Sequence, residues 1–130
     1  QIMEIKNTSK KFTVSKNKSK INFFSLDVKH GLVKTRGYLF NKIAYISDCK
    51  SIPKKSMLKL KNLDYFIIDC FRLEKHVTHL DINSTIQLIK YLKPKKSILI
   101  NLHVDLDYNK LKKLLPKNVI PAHDGLSFNF

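Results

Sequence analysis

Five histidines lie along the 130 residues, and the chemistry available to the chain depends on what stands near them. His30 precedes Gly31, and Asp48 follows 18 residues later. A neutral imidazole and a carboxylate suit Zn²⁺, Mn²⁺ or Fe²⁺, and a carboxylate can bridge two metals ~3.5–4 Å apart. The alternative is a loop histidine and a helix-capping aspartate ahead of Ser51-Ile52-Pro53. Spacing alone favours that alternative, since no HxxxH or CxxC cluster accompanies the pair. His76-Val77-Thr78-His79 sets two histidines three apart. One could ligate metal, donate a proton to a leaving group or bind phosphate; the other reading is a solvated turn. In Asn101-Leu102-His103 two polar side chains share one face of a strand end, because alternate residues point the same way. Asp105 and Asp107 read as turn and capping residues. Asp69 either orients a histidine ligand from behind or simply ends a strand.

The elements that must position these residues follow from hydrophobic patterning. Ile21–Val28 has strand composition, and a loop at Lys29–Thr35 follows it. Gly37–Phe40 and Ile43–Ile46 are short strands joined at Asn41-Lys42. Pro53 opens a helix whose apolar face is Met57, Leu58 and Leu60. Tyr65–Ile68 reads as a buried strand ending at Asp69-Cys70, and Phe71–His79 as a polar loop containing Arg72. Asp81 caps a helix carrying Ile82, Ile86, Ile89 and Leu92 until Pro94. Ser97–Ile100 is a further strand, Tyr108–Leu115 a helix capped by Asp107, and Leu126–Phe130 a last strand after the Asp124-Gly125 turn. Toward the N-terminus, Ile2–Lys6 alternates weakly, while Asn7–Lys11 and Ser15–Lys20 read as turns. A β-rich first third followed by alternating strands and helices predicts a layered α/β domain. His30, Asp48, Asp69, Asn101 and His103 all fall at strand ends, the edge where open α/β sheets bind ligands.

Composition narrows the function classes. The formal net charge of +15 invites a nucleic-acid reading, but 23 of the 25 basic residues are Lys, spread through nearly every segment. Base readers and bidentate phosphate clamps favour Arg. With abundant Ile and Asn and only three Gly, low-GC coding bias accounts for the lysines, leaving a diffuse field attractive to anions. Apolar runs such as Tyr65–Ile68 are far below the ~20 residues of a membrane span. Cys49 and Cys70 form no CxxC pair and fit reduced cysteines of a cytoplasmic protein.

The motifs form one ordered series: His30-Gly31; Gly37–Phe40; Ala44-Tyr45-Ile46-Ser47-Asp48; Pro53; Leu63-Asp64; Ile68–Arg72; His76–His79; Asn101–Asp107; and Pro121–Leu126. From about Ile21 to Phe130 the series resembles the C-terminal half of metallo-β-lactamase-fold hydrolases. The branch it is most similar to contains the phosphoribosyl cyclic phosphodiesterase of phosphonate breakdown and is related to the tRNA 3′-processing endonucleases. The resemblance implies an α/β chain forming the C-terminal half of a four-layer αββα fold, with two divalent metal ions (Zn²⁺ and/or Mn²⁺) at the edge of its β-sandwich. His30 would be a metal ligand, Asp48 the carboxylate bridging both metals, and His79 the histidine that contacts substrate phosphate and assists the leaving group. The family's Thr-His-Leu/Ile-Ser-His pattern places Asn101 at the late ligand position. His103, two residues on, is assigned as that metal ligand, with Asn101, Asp69 and His76 as supporting groups or alternative ligands. His123 receives no role.

One departure is large. The family's His-x-His-x-Asp-His motif, which supplies most of the metal ligands, is absent between Gln1 and Phe130. Residues 1–130 are therefore expected to be the C-terminal portion of a domain whose N-terminal metal-binding half lies elsewhere, and to be inactive alone. The expected whole is a dinuclear metal-dependent hydrolase of small anionic phosphodiesters, with no membrane partner and the homodimeric pairing common among such hydrolases. The alternatives are a tRNA 3′-processing-type endonuclease acting on RNA and a non-catalytic basic nucleic-acid-binding module.

Overall fold

The computed structural model describes residues 11–16 and 18–130; the readings of Ile2–Lys6 and of Asn7–Lys10 lie outside this range, while Lys11, the last residue of that expected turn, is a strand residue paired with Phe24. Seven strands form one sheet in sequential order: β1 (Lys11–Lys16), β2 (Ser19–His30), β3 (Val33–Phe40), β4 (Ile43–Ile46), β5 (Tyr65–Asp69), β6 (Lys96–Ile100) and β7 (Val119–Pro121). The first four pair antiparallel, and the last four pair parallel. Each parallel step carries a helix: α1 (Lys54–Met57), α2 (Ile82–Leu92) and α3 (Tyr108–Leu114). That is the pattern a parallel crossover demands.

Side-chain alternation gives the sheet two different faces. Leu26, Val28, Ala44, Ile46, Phe66, Ile68, Leu99 and Val119 point to one side and pack with Leu60, Leu63, Ile89 and Leu111 in a single core. Burying each large side chain there stabilises the fold by roughly 1.5–3 kcal/mol. The opposite face is aromatic: Phe12 stacks on Phe23, Phe23 meets Phe40, and Phe128 stacks on Tyr65. One helix layer on one sheet corresponds to half of an αββα sandwich.

Three boundaries differ from the sequence reading. Of the expected loop Lys29–Thr35, Lys29 and His30 belong to β2 and Val33–Thr35 to β3, because a two-residue turn at Gly31-Leu32 lets His30 pair directly with Val33. Ser15 and Lys20, expected in a turn, are paired ladder residues, since β2 is 12 residues long and holds β1 against its outer half. Leu126–Phe130 is not a strand. The parallel place beside β6 is taken by Val119–Pro121, and the last residues instead lay Phe128 and Phe130 on the aromatic face. The remaining elements lie close to where patterning puts them. Asn41 and Lys42, both at positive φ, make the β3–β4 turn.

Candidate metal centre

His30 is the last residue of β2, and two features fix its neighbourhood. Gly31 adopts φ +63, and a Cβ there would stand 3.0 Å from Thr78 Cγ2, so the turn needs glycine for its conformation and for the close approach of the 76–79 loop. The chain beyond β4 then returns to β2: Lys50 N and Ser51 N donate to Lys29 O at 2.7 and 3.1 Å, and Lys29 N donates to Ser51 O at 2.9 Å. This bridge sets Asp48 beside His30. The Thr35 hydroxyl donates to Asp48 O and the Ser47 hydroxyl to Asp48 Oδ2, both at 2.8 Å.

His79 comes from the loop between β5 and α2. Lys50 Nζ reaches into that loop and donates to the carbonyls of His76 and His79, so one ammonium ties it to the segment carrying Asp48. Sequence patterning did not single out Lys50; among 23 lysines nothing marks it. His76 stays out of the centre. Its Nδ1 accepts from Thr78 N at 3.3 Å, and desolvation, with the nearby His79, Arg72 and Lys50, holds its pKa below the usual histidine value.

Asp69, at the end of β5 and 0% exposed, is the hub beneath these residues. Its Oδ2 accepts from Cys49 N at 3.2 Å, Leu80 N at 3.3 Å and His79 Nδ1 at 2.9 Å, and its Oδ1 accepts from Asn101 Nδ2 at 3.0 Å. Asn101 reaches it because its backbone turns left-handed just beyond β6 (φ +61), a conformation asparagine tolerates. A carboxylate only accepts, so His79 carries a proton on Nδ1 and turns Nε2 toward the other side chains. That Nε2 lies 3.0 Å from His30 Nε2. Ligand atoms of His30, Asp48 and His79 all lie within 4.8 Å of one another. Two imidazole nitrogens and a carboxylate oxygen fit a Zn²⁺-type or Mn²⁺-type cation with a position left open. A carboxylate behind one imidazole is the usual support for such a ligand.

The structure thus brings together His30, Asp48 and His79, with Asp69 and Asn101 directly behind. It does not bring His103 into this group. His103 Nε2 lies 3.2 Å from Arg72 Nη2, and its Nδ1 lies 3.0 Å from Asp105 Oδ2. The late imidazole expected among the ligands therefore faces a guanidinium and a carboxylate, and Asn101 occupies the place nearer the three. His123 contacts Asp124 O and the edge of Tyr108, away from the centre. Cys49 and Cys70 are buried free thiols, each pushed up to about 12 mainly by that burial, and offer no thiolate ligand near neutrality. No helix among the described residues is long and apolar enough to cross a membrane.

Comparison with known proteins places this geometry in a family. The sequence profile of the Beta-lactamase superfamily domain matches residues 1–102. Over 104 residues the chain is 30% identical to an octanoyltransferase of Porphyromonas gingivalis, spanning 78% of this chain but only 21% of that protein. Among solved structures, a diphosphatase of the PhnP family superposes with a TM-score of 0.82 at 33% identity, over 85% of this chain and 44% of that one. The human tRNase Z short form (TM-score 0.62, 14% identity, 90% of this chain and 46% of that one) shares the fold. So does the Zn²⁺-bound PqqB of Methylobacterium extorquens (TM-score 0.64, 15% identity, 85% of this chain and 50% of that one). The chain thus spans less than two thirds of each of these relatives. With a profile match over most of its length and the same half-sandwich, the chain belongs to the beta-lactamase superfamily and has the metallo-β-lactamase fold.

Proposed function

We propose that the chain is the C-terminal part of a divalent-metal-dependent phosphodiesterase acting on small anionic substrates. The observation that carries this reading is the convergence of His30, Asp48 and His79 within 4.8 Å over the Asp69 carboxylate. The likeness to a PhnP-family diphosphatase, which the chain matches over 44% of that protein's length, supports phosphoester chemistry. His30 and Asp48 would hold the cation. When bound, it supplies Lewis acidity, polarising a phosphoryl oxygen and easing loss of a proton from water.

The chain's own residues do the rest. Asp69 fixes the His79 ring with its Nδ1 protonated, so Nε2 is the atom that takes up a proton and returns it to a departing oxygen. The Phe71 ring packs against that of His79, with centroids 4.6 Å apart. The lysine-rich surface draws an anionic substrate inward. A second reading has His79 Nε2 as the third ligand of the cation, and its 3.0 Å separation from His30 Nε2 favours it.

The missing His-x-His-x-Asp-His motif leaves the proposed second metal without its own ligands in this chain. Hydrolysis of bis(p-nitrophenyl) phosphate is thus expected only from a protein in which a segment bearing that motif precedes this chain. Activity should vanish with a chelator and return with Mn²⁺ or Zn²⁺. In that protein His79→Ala should lower kcat at least a hundredfold. If metal affinity is preserved, His79 handles the proton; if it collapses as well, His79 is a ligand. Robust metal-dependent turnover by residues 1–130 alone, or chelator-resistant turnover by the longer protein, would overturn the proposal.

A further inference from the structure

Beside the metal centre lies a second cluster that the proposed chemistry does not use. Arg72 is one of only two arginines in a chain that carries 23 lysines. Its Nη2 lies 3.2 Å from His103 Nε2, and Asp105 Oδ2 lies 3.0 Å from His103 Nδ1. A guanidinium has donors only, so His103 Nε2 accepts from it and His103 Nδ1–H donates to Asp105. The three side chains form one directed chain: carboxylate, imidazole, guanidinium. The backbone holds both ends in register, since Ile82 N donates to Arg72 O at 2.9 Å and His103 N donates to Phe71 O at 3.0 Å. The guanidinium carbon lies 5.3 Å from the centre of the Phe71 ring.

These contacts leave Arg72 incompletely satisfied. Its Nε is buried without a hydrogen-bond acceptor, with Asp105 Oδ2 at 3.7 Å, too far to serve. Its Nη1 has no partner among the described residues, while the side chain remains 39% exposed. A planar fork fixed on one edge and open on the other is suited to a tetrahedral oxyanion, which accepts two parallel N–H bonds. The cluster also adjoins the metal centre. The Phe71 ring packs against both His79, at 4.6 Å, and His103, at 5.1 Å.

We propose that Arg72 is an anion-receiving group that binds a phosphoryl group of the substrate, with His103 and Asp105 as the residues that position it. Assigning phosphate as the anion rests on the phosphoesterase reading; the existence of an oxyanion site does not.

The two arginines make the test direct, because the chain has only two Arg Nε–H resonances, separable by Arg36→Lys. The metal-free 130-residue protein is titrated with inorganic phosphate at constant ionic strength. The Arg72 signal should shift saturably while that of Arg36 stays still. Arg72→Lys and His103→Leu should each weaken phosphate binding at least fivefold with the backbone spectrum preserved. His103→Gln, which can still accept from Arg72 and donate to Asp105, should retain it. His30→Ala should leave it unchanged, which separates this site from the metal centre and its failure from that of the hydrolase reading. An unmoved Arg72 signal, parallel drift of both arginines without saturation, or binding indifferent to Arg72→Lys would overturn the site. Full binding in His103→Leu, or loss in His103→Gln equal to that in His103→Leu, would overturn the positioning role.

Discussion

Replacing Asp69 should separate the cost of an empty hub from that of a merely neutral one. In Asp69→Ala the backbone N–H groups of Cys49 and Leu80, on residues that are themselves buried, lose their acceptor. An unsatisfied buried donor costs about 1–3 kcal/mol, so these two alone predict a loss of about 2–6 kcal/mol. His79 and Asn101 are released at the same time. Asp69→Asn should behave differently. Its remaining oxygen can stay toward Cys49, Leu80 and His79, while its amide faces Asn101, whose own amide can flip to present oxygen. What is lost is charge assistance, about 1 kcal/mol per hydrogen bond, set against the desolvation cost that a neutral amide avoids, so the net loss stays below that of the Ala variant. Urea unfolding followed by circular dichroism measures both variants. An Ala variant within 1 kcal/mol of the parent, or Ala and Asn variants alike, would refute the hub.

Three other outcomes follow from the same geometry. Gly31→Ala should cost about 1–3 kcal/mol in urea unfolding, because a non-glycine residue at φ +63 is strained and its Cβ meets Thr78; an unchanged midpoint would contradict this. Asp81 caps α2 through Ser84 N at 2.9 Å, so Asp81→Ala should lose about 0.5–2 kcal/mol. Burial pulls the Asp81 carboxyl upward, but hydrogen bonds from the Ser84 N–H and hydroxyl outweigh it and set it below its ordinary value. The cap's contribution is therefore full above about pH 4 and fades as pH falls through the lowered folded value, which acid unfolding of the parent and Asp81→Ala should show. Cys49 and Cys70, each pushed up to about 12 chiefly by burial, should resist a disulfide reagent at pH 8 in the native state and react on unfolding. Since their folded pKa values lie above the unfolded one, this stabilisation is complete below about pH 8.5 and lost as pH rises toward 12.

Much of the centre is legible in the sequence because its residues terminate strands whose apolar patterns are unambiguous. Phe66 and Ile68 face the core and force Asp69 to the sheet edge, and Ile82, Ile86 and Ile89 mark α2 as clearly as the Asp81 cap does. The ends of the chain are harder to read. Val119–Pro121 is only three residues long and ends in proline, so no period can emerge, whereas Phe128 and Phe130 alternate as a strand would but instead stack on Tyr65 and meet Phe40 edge-on, respectively. Side-chain direction is a further gap. Spacing places Asn101 and His103 on one face of a strand end, yet the left-handed turn at Asn101 sends its amide to Asp69 and leaves His103 with Arg72. Backbone conformation at one residue decides that, and no periodicity encodes it. Arg72 carried a usable signal, an arginine where the chain otherwise uses lysine, whereas Lys50 carried none.

Cobalt(II) titration of the 130-residue protein, followed by visible absorption, tests the convergence of His30, Asp48 and His79 most directly. It reads ligation itself, without requiring turnover. A saturable spectrum at one ion per chain is predicted, displaced by Zn²⁺, with affinity at least tenfold weaker in both His30→Ala and Asp48→Ala and unchanged in His123→Ala. A featureless titration, or a cobalt spectrum that survives intact in both His30→Ala and Asp48→Ala, would contradict a metal centre at this sheet edge.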